Sequence, residues 1–392
     1  MRIVHLCICI PYNDYWGYQE NLLPKYHRKQ GHEVTVITTN TKQVEGGFET
    51  VPAGRYHLDD GQQIIRLDYE RGPIKKLSVF RKKFNILPLL RELKPDFIMV
   101  HGLVNCTALQ VKKYVQKYAP HCRVVADSHI DYDNEYPYRG MMRKLLFAYY
   151  RRINRRMASV YETVFGVTPG RVEYMQKEFH IAPERSALLV MGADDEAIAF
   201  DKKDKLRKEL CKSYDIPEND FLIVTGGRIE EPKNIHTLMQ AFAQADLEHT
   251  TLLVFGNTHP AIEETIHTLA KHPKIRYIGW VDSQKVYDIF LSAQLVFFPG
   301  SHSVLWEQAC ACGIPCVFKD DPGRRHVDLG GNCMLLQDCG VEALQVALEK
   351  ICNNKEVYES MLRTAQEKGI DCFSYDKLAQ RVLQPREFWE VK

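Results

Sequence analysis

The sequence predicts an α/β fold made of two doubly wound domains, each with a mostly parallel sheet. Three observations lead to this prediction. At 392 residues the chain is long for a single hydrophobic core, so two domains of ordinary size are expected. Short apolar runs alternate with longer helical patterns along the chain. Most of these runs are continuous rather than alternating, which is typical of strands in a sheet that helices cover on both faces.

The apolar runs predict six strands in the first half and six in the second, with helical patterns between them. A charged segment at 188–205 marks the expected join, so the predicted domains are 1–190 and 191–375. The predicted strands are 3–10, 34–39, 63–68, 97–101, 123–128, 162–168, 221–226, 251–256, 275–281, 295–300, 315–319 and 332–337.

The net charge of +2 hides an asymmetry between the halves. Residues 1–190 hold 29 Lys and Arg against 19 Asp and Glu, whereas the remainder holds 23 against 31. This difference predicts an anionic surface as partner of the first half and a small ligand for the second. A dipolar, solvated protein without such partners is the alternative. No nucleic-acid recognition motif is present, so nucleic acid is not an expected partner.

The N-terminal run is too short for the core of a signal peptide, and no window has the roughly 18 apolar residues of a membrane-spanning helix. We therefore expect a cytoplasmic protein with its twelve cysteines reduced. Cys310, Cys312 and Cys316 are close in sequence, but their spacing fits no zinc ligand set and favours a packing role.

The stretch TGGRIEEPKN at 225–234 follows an apolar strand and carries the first functional signal. Gly226 and Gly227 allow the backbone to approach a ligand closely. Arg228 and Lys233 are placed around the start of the next helix, for which Pro232 is a plausible first residue, and a helix N-terminus favours anions. A phosphate or diphosphate suits this combination, although an ordinary turn with two exposed cations is the alternative. The Walker pattern is missing here, and so is a dinucleotide-binding glycine motif after the first strand.

A second signal lies in LVFFPGSHSVLWEQACACGIPCVF at 295–318. A buried strand ends at Pro299, and Glu307 falls in the first turns of the following helix. Its carboxylate can accept two hydrogen bonds from a ribose diol. The alternative is an acid that is simply favourable near a helix N-terminus.

Taken together, G-G-R-x4-K and the later P-G…E-x-A-x-A-C-G-x-P resemble the C-terminal domain of a retaining glycosyltransferase of family 4, which has the GT-B fold. The first half agrees with the resemblance at 17–39, 94–102, 123–131 and 165–175, so the likeness extends from 1 to about 340. It implies two Rossmann-like domains that face each other across a cleft. It also implies a C-terminal helix, within 376–392, that completes the first domain.

The resemblance implies a role for each matching position. Arg228 and Lys233 would hold the diphosphate of a nucleotide-sugar donor, and Glu307 would bind the ribose hydroxyls. His129 would face the hydroxyls of the donor sugar, and Gly17 would lie under the diphosphate or the acceptor. His101, at the end of the neighbouring strand, also fits the pattern, and a structural histidine is the alternative.

One departure from the family pattern concerns the donor sugar. The family has two glutamates separated by seven residues; Glu307 corresponds to the second, and Pro299 stands where the first is expected. Ser301, His302 and Ser303 occupy the shortened turn and are candidates for binding the sugar. A catalytically silent binding protein is therefore one alternative, and a GT-B sugar-nucleotide epimerase or hydrolase is another.

The implied reaction is sugar transfer from a nucleotide diphosphate to a hydroxyl acceptor, with no cofactor and no metal ion. Protein cations would neutralise the leaving diphosphate. Asp131 and Asp133 resemble the metal-binding pair of a different glycosyltransferase fold, but a loop acid pair is the preferred interpretation. Many relatives act on lipid-linked or surface polysaccharides, so we expect such an acceptor.

A basic, amphipathic helix is predicted at 138–157, and a second basic and apolar stretch lies at 73–90. Such helices can lie on the inner, anionic face of a membrane, which makes peripheral membrane contact a prediction; a core helix with a solvated basic face is the alternative. The predicted apolar stripe of the helix at 138–157 consists of Met142, Leu145, Leu146, Tyr149, Ile153 and Met157, with Arg143, Lys144, Arg151 and Arg155 largely opposite.

Overall fold

A computed structural model describes residues 1–44, 47–68, 84–132, 140–245 and 247–384. The chain divides into two compact units. The N-terminal unit consists of Met1–Val190 and a C-terminal segment that begins at Leu378. The C-terminal unit is Met191–Lys377.

The N-terminal unit is built on an eight-stranded sheet in the order β10-β9-β8-β7-β1-β2-β6-β5, in which only β5 runs antiparallel to its neighbour. The strands are β1 (Arg2–Cys7), β2 (Glu33–Thr39), β5 (Gly54–His57), β6 (Gln63–Leu67), β7 (Phe97–His101), β8 (Arg123–Ser128), β9 (Tyr161–Gly166) and β10 (Ser186–Leu188), with a separate hairpin of β3 (Thr41–Val44) and β4 (Gly47–Thr50). The helices are α1 (Gln19–Lys29), α2 (Leu87–Leu93), α3 (Ala108–Tyr118), α4 (Gly140–Met157) and α5 (Pro169–Phe179).

The C-terminal unit has a six-stranded, fully parallel sheet in the order β13-β12-β11-β14-β15-β16. Its strands are β11 (Phe221–Gly226), β12 (Thr250–Phe255), β13 (Ile275–Tyr277), β14 (Leu295–Phe298), β15 (Cys316–Lys319) and β16 (Cys333–Leu336). The remaining helices are α6 (Lys203–Ser213), α7 (Ile235–Gln244), α8 (Glu263–Leu269), α9 (Ser283–Ser292), α10 (Leu305–Ala311), α11 (Val341–Cys352), α12 (Lys355–Phe373) and α13 (Tyr375–Leu383), of which α13 continues into the N-terminal unit.

All twelve predicted runs contain a strand, and the predicted pair of Rossmann-like sheets is present. The central strands are apolar and buried because helices pack on the sheets; β11 and β14 are examples. Four strands of the N-terminal unit escaped prediction. β3, β4 and β5 have four residues each and are largely exposed, so they form no apolar run, and β10 has only three residues.

Strand order reverses beside one central strand in each sheet. In the C-terminal unit, β11 has β12 on one side and β14 on the other. In the N-terminal unit, β1 lies between β2 and β7. Loops diverge from the carboxyl ends of such neighbouring strands and leave a crevice in which α/β proteins bind ligands. The loops after β11, β14, β1 and β7 are therefore where a site is expected.

The prediction for the helix after β11 is wrong in one detail. Pro232 does not begin that helix; it lies in a short 3-10 turn, Glu231–Lys233. Asn234 follows in the left-handed conformation, with φ 56°, and α7 begins at Ile235. Because asparagine tolerates this conformation, the chain turns sharply before the helix starts. Lys233 consequently belongs to the loop rather than to the first turn of α7.

The predicted apolar stripe of α4 is also partly wrong. Met142 and Leu145 are exposed, at 54% and 60% of their surface, and Met141 is exposed at 70%. The helix is turned so that Phe147 packs inward, stacked on Phe179 with ring centroids 5.7 Å apart. The buried residues of α4 are Leu146, Phe147, Tyr150, Ile153, Asn154 and Met157.

Two predicted features fall outside the described residues, namely most of the basic stretch at 73–90 and Asp133 of the loop acid pair. Across the described ranges, no helix combines the length and the apolar composition that a bilayer crossing requires.

Candidate functional site

The loops after β11 and β14 are joined through Lys233. Its Nζ atom donates to the carbonyl oxygens of Ser301 at 2.8 Å and His302 at 2.9 Å. The backbone N–H of Ser301 donates to the carbonyl oxygen of Pro232 at 2.9 Å. A Cβ atom at Gly300 would lie 2.3 Å from the carbonyl oxygen of Lys233, so only glycine permits this approach. The structure therefore brings Lys233 and the Ser301–Ser303 turn together.

Glycines make the turn at the end of β11 tight. Gly227 has φ 103°, a conformation that other residues rarely adopt. A Cβ atom at Gly226 would lie 2.4 Å from the carbonyl oxygen of Phe255, and one at Gly256 would lie 1.7 Å from that of Gly227. The chain needs glycine here for packing between β11 and β12, a reason that holds whether or not a ligand binds.

Two arginine side chains act on Lys233 beside this turn. Burial lowers the pKa of Lys233, and Arg228 and Arg324 lower it further against the opposing charge of Glu230. Arg228 is exposed, whereas Arg324 pairs with Asp321. An ammonium group has three N–H donors, and two of those on Lys233 bind carbonyl oxygens. An anion that accepted the third would relieve the repulsion among these cations.

Glu307 lies in the first turn of α10 and is fully buried. Its Oε1 atom accepts hydrogen bonds from Nε2 of His302 at 2.9 Å and from Nε2 of His326 at 2.8 Å. His302 packs edge-on against Trp306, with ring centroids 5.1 Å apart, and Trp306 stacks on Phe318 at 4.4 Å. The carboxylate is thus held by the turn after β14 and the loop after β15.

Two histidines keep this buried carboxylate ionised. Burial raises the pKa of Glu307, but the charges and hydrogen bonds of His302 and His326 outweigh it and lower the pKa to about 2. The Oε2 atom is buried and accepts no hydrogen bond from the described residues. Ribose hydroxyls can therefore reach it only if a covering side chain moves.

The same three side chains could hold a metal ion. The ligand atoms of His302, Glu307 and His326 all lie within 4.8 Å of one another. Two imidazoles and one carboxylate form a donor set that suits a divalent transition metal. Hydrogen bonds between the imidazole N–H groups and the carboxylate account for the observed 2.8 and 2.9 Å separations without an ion.

The remaining predicted residues of this turn have different surroundings. Ser301 is exposed, and Ser303 is half-buried and accepts, through its carbonyl oxygen, the backbone N–H of Trp306 at 3.0 Å. This contact begins α10. Neither serine hydroxyl has a hydrogen bond assigned among the described residues.

In the N-terminal unit, His129 follows β8 with about a third of its side chain exposed. Its Nε2 atom lies 3.7 Å from Oδ2 of Asp127 and 3.9 Å from Oε1 of Glu20. Burial opposes the charged ring, but Glu20 and Asp127 outweigh it and raise the pKa of His129. Gly17, in the exposed loop between β1 and α1, has open space for 4 Å around a Cβ position. A charged imidazole at the end of β8 can donate a hydrogen bond to a ligand hydroxyl.

A line of buried histidines leads to the same carboxylate. Nδ1 of His101 binds Oδ2 of Asp127 at 2.7 Å, and Nε2 of His101 lies 2.9 Å from Nδ1 of His5. Nε2 of His5 lies 3.0 Å from Nδ1 of His27, whose Nε2 lies 2.9 Å from the carbonyl oxygen of Ala379 in α13. All three rings and the carboxylate are buried.

Sequence reasoning missed several of these residues. Arg324 and His326 follow β15, and the rule that ligands gather after strands could have singled them out. Asp127 precedes His129 by two residues, so period-two alternation could have placed both side chains on one face. His5 and His27 lie far apart in sequence, and only tertiary packing brings them together.

The profile of the family described as "Glycosyltransferase Family 4" matches residues 22–197. The profile described as "Glycosyl transferases group 1" matches residues 207–368, so the two cover most of both units. This chain belongs to the family 4 glycosyltransferases. The resemblance that the motifs at 225–234 and 295–318 indicated is confirmed.

Among curated proteins, this glycosyltransferase is similar to the "Lipopolysaccharide core biosynthesis glycosyltransferase LpsE" of Rhizobium meliloti (strain 1021). The two are 26% identical over 175 residues, which are 43% of this chain and 51% of the relative. The match therefore spans about half the length of that relative.

Two solved structures show the fold. A glycosyltransferase from Rickettsia africae ESF-5 has a TM-score of 0.71 and 15% identity, covering 98% of this chain and 97% of its own. Anabaena HepE, solved in complex with UDP and glucose, has a TM-score of 0.65 and 14% identity, covering 99% of this chain and all of its own. The predicted GT-B fold is confirmed.

Proposed function

We propose that this glycosyltransferase moves a sugar, with retention of configuration, from a nucleotide-diphosphate donor to a hydroxyl of a lipid-linked or surface polysaccharide. The observation that carries the proposal is the cation cluster formed by Arg228, Lys233 and Arg324, in the loops after β11 and β15. Lys233 is anchored by two carbonyl oxygens, and Arg228 and Arg324 lie close enough to lower its pKa. A diphosphate has the charge that such a cluster accommodates.

The cations would act mainly on the transition state. Breaking the bond between the anomeric carbon and the phosphate oxygen leaves negative charge on the diphosphate. Preorganised donors aimed at that growing charge lower the barrier, and removing one costs on the order of a hundredfold in rate. Arg228 can offer two parallel N–H groups and Lys233 a point charge. Protein cations in this position perform the task without a metal ion.

The donor's nucleoside would lie beside Glu307. The buried Oε2 atom of Glu307 accepts no hydrogen bond from the described residues, so it can accept hydrogen bonds from the hydroxyls of a ribose diol. His302 covers this carboxylate from the turn after β14. We propose that His302 shifts when the donor binds and that Ser301 and Ser303 then offer hydroxyls to its sugar.

His129 would contribute from the N-terminal unit. Although burial opposes the charged ring, Glu20 and Asp127 raise the pKa of His129, which favours the protonated ring, in which both nitrogens are donors. We propose that His129 donates a hydrogen bond to a hydroxyl of the donor sugar, and that Gly17 leaves room in its loop for the diphosphate or the acceptor. The leaving phosphate would take the proton of the acceptor hydroxyl, so no protein nucleophile is assigned.

The relatives support the proposed substrates. HepE was solved with UDP and glucose, and LpsE is named for lipopolysaccharide core biosynthesis. For the present chain we propose a uridine- or other nucleoside-diphosphate sugar and an acceptor of the same general chemistry. The exposed end of α4, with Met141, Met142 and Leu145 near basic residues, would hold the enzyme at an anionic membrane.

A panel of UDP-, ADP-, GDP- and dTDP-sugars tests the proposal. Nucleotide release is measured with and without a deacylated core oligosaccharide or a polyprenyl-linked sugar as acceptor. Release that requires acceptor supports transfer, whereas release that ignores acceptor indicates a hydrolase. Conversion of the donor sugar indicates an epimerase, and binding without turnover indicates a silent protein; each of these outcomes contradicts the proposal.

A further inference from the structure

The line of histidines in the N-terminal unit has a hydrogen-bond acceptor at each end. The carbonyl oxygen of Ala379 and the ionised carboxylate of Asp127 can only accept. Four hydrogen bonds connect these ends through three imidazole rings. Each bond requires one proton, and three neutral imidazoles supply only three. The fourth proton makes one ring of the line an imidazolium.

The carboxylate decides which ring is charged. His101 lies 2.7 Å from Oδ2 of Asp127, whereas the other two rings are separated from it by His101. Asp127 also accepts the backbone N–H of Gly102 at 3.0 Å and the amide of Gln19 at 3.2 Å, and such donors favour its ionised form. The cation therefore lies on His101.

The electrostatic surroundings agree with this placement. Burial disfavours a charged ring, but the charge and hydrogen bond of Asp127 oppose it, and the pKa of His101 is raised well above its usual value. Burial lowers the pKa of His5, and it lowers that of His27 to about 3. His5, which is next to the cation, and His27, at the far end of the line, consequently stay neutral.

The charge of Asp127 interacts with both His101 and His129. His129 lies 3.7 Å from the same Oδ2 atom. Glu20, 3.9 Å away, also attracts a proton to His129, whereas Arg171 opposes it. The more completely His101 neutralises Asp127, the less Asp127 contributes to the pKa of His129.

We infer that His27, His5 and His101 store one proton beside Asp127, and that this stored charge sets the protonation of His129. His101 and Asp127 are thereby positioning residues for the proposed transfer. Their effect on catalysis rests on the proposed function, but the stored proton does not.

Ring-nitrogen NMR on the full chain, labelled with ¹⁵N in histidine, tests the stored proton. Between pH 6 and 8, His101 shows both ring nitrogens protonated, and the other two rings are neutral and protonated at Nε2 only. A neutral His101, or rings that titrate together near their usual pKa, overturns the inference.

A matched pair of substitutions tests the link to His129. Leucine at position 27 removes an end of the line, so the hydrogen bonds no longer require a fourth proton. His27→Leu then leaves Asp127 less neutralised and raises the pKa of His129 by about one unit or more. His27→Gln keeps an amide donor towards Ala379 and an acceptor towards His5, and it leaves that pKa unchanged.

The pKa of His129 is read from its Cε1–H resonance, so no substrate is needed. Equal pKa values in both variants and the wild type overturn the link, because a purely structural role would not separate leucine from glutamine. If His27→Leu does not fold, the ring-nitrogen spectra of the wild type decide the stored proton alone. A wild type that transfers no sugar refutes the proposed function and leaves the NMR result standing.

Discussion

The Nε2 atom of His302 lies 2.9 Å from Oε1 of Glu307, and the same oxygen accepts a second imidazole, His326, at 2.8 Å. One carboxylate thus ties the turn after β14 and the loop after β15 to the first turn of α10. The loop that carries Lys233 is tied to the same turn through backbone carbonyls. A change at Glu307 should therefore alter stability as well as donor binding.

Glu307→Gln should lower the free energy of unfolding by about 2 kcal/mol at neutral pH, because hydrogen bonds to a buried charge are lost. Since the pKa of Glu307 is lowered to about 2 in the folded protein, its contribution is present above the unfolded pKa near 4.3 and is lost as pH falls towards 2. Urea unfolding at pH 7 and pH 3 measures both values, with exposed Glu264→Gln as the control. An equal loss at the two pH values would contradict this account of the carboxylate.

Removal of metal ions should leave the rate of sugar transfer unchanged. In the proposed mechanism, protein cations neutralise the leaving diphosphate, and Glu307 is already held by two imidazole N–H groups. The rate is measured before and after treatment with EDTA and gel filtration. A loss that Zn²⁺ restores would instead show that His302, Glu307 and His326 ligate a metal.

The exposed end of α4 should bind anionic membranes. Met142→Gln combined with Leu145→Gln removes apolar side chains from a basic helix, so the affinity for vesicles that contain phosphatidylglycerol should fall by about tenfold. Cosedimentation measures it, and Val346→Gln, at a residue 63% exposed in the C-terminal unit, is the matched control. Binding that is equally weak in wild type and variant would leave α4 without this role.

The histidine line makes stability depend on pH in a defined way. In the folded protein the three histidines bind one proton beyond their neutral forms. In the unfolded chain they bind no such proton well above pH 6.5 and three well below it. The contribution of the histidine line to the free energy of unfolding should therefore peak near pH 7. It should fall by about 1.4 kcal/mol per pH unit above this pH and by about 2.7 kcal/mol per pH unit below it. Urea unfolding from pH 5 to 9 measures the curve for wild type and His5→Leu. An identical alkaline slope in both would contradict the stored proton.

Local sequence patterns predicted the C-terminal unit better than the site details. Continuous apolar runs marked β11 and β14, since strands buried on both faces need little else. The start of α7 was missed because the left-handed Asn234 interrupts the chain after Pro232, a conformation that no periodicity reveals. In α4, polar and apolar side chains alternate at short intervals, so the pattern did not identify the buried face correctly. Phe147 and Tyr150, rather than Met142, face the core.

The unpredicted parts of the site depend on tertiary contacts. Glu307 was singled out as a ribose ligand, but its burial beneath His302 and His326 follows from packing between segments. His5 and His101 are 96 residues apart and meet only because β1 and β7 pair in the sheet. Neither the burial of Glu307 nor the contact between His5 and His101 corresponds to a residue spacing that can be recognised in a single sequence.

The most direct measurement is the initial rate of acceptor-dependent nucleotide release by Arg228→Ala and Lys233→Ala, compared with the wild type and with Lys271→Ala. Lys271 is exposed in the same unit and serves as a charge-matched control. Each site variant should lose on the order of a hundredfold or more in rate while its far-UV circular dichroism stays native, and the control should keep the wild-type rate. Near-normal rates in both site variants would contradict the claim that these cations neutralise a departing diphosphate.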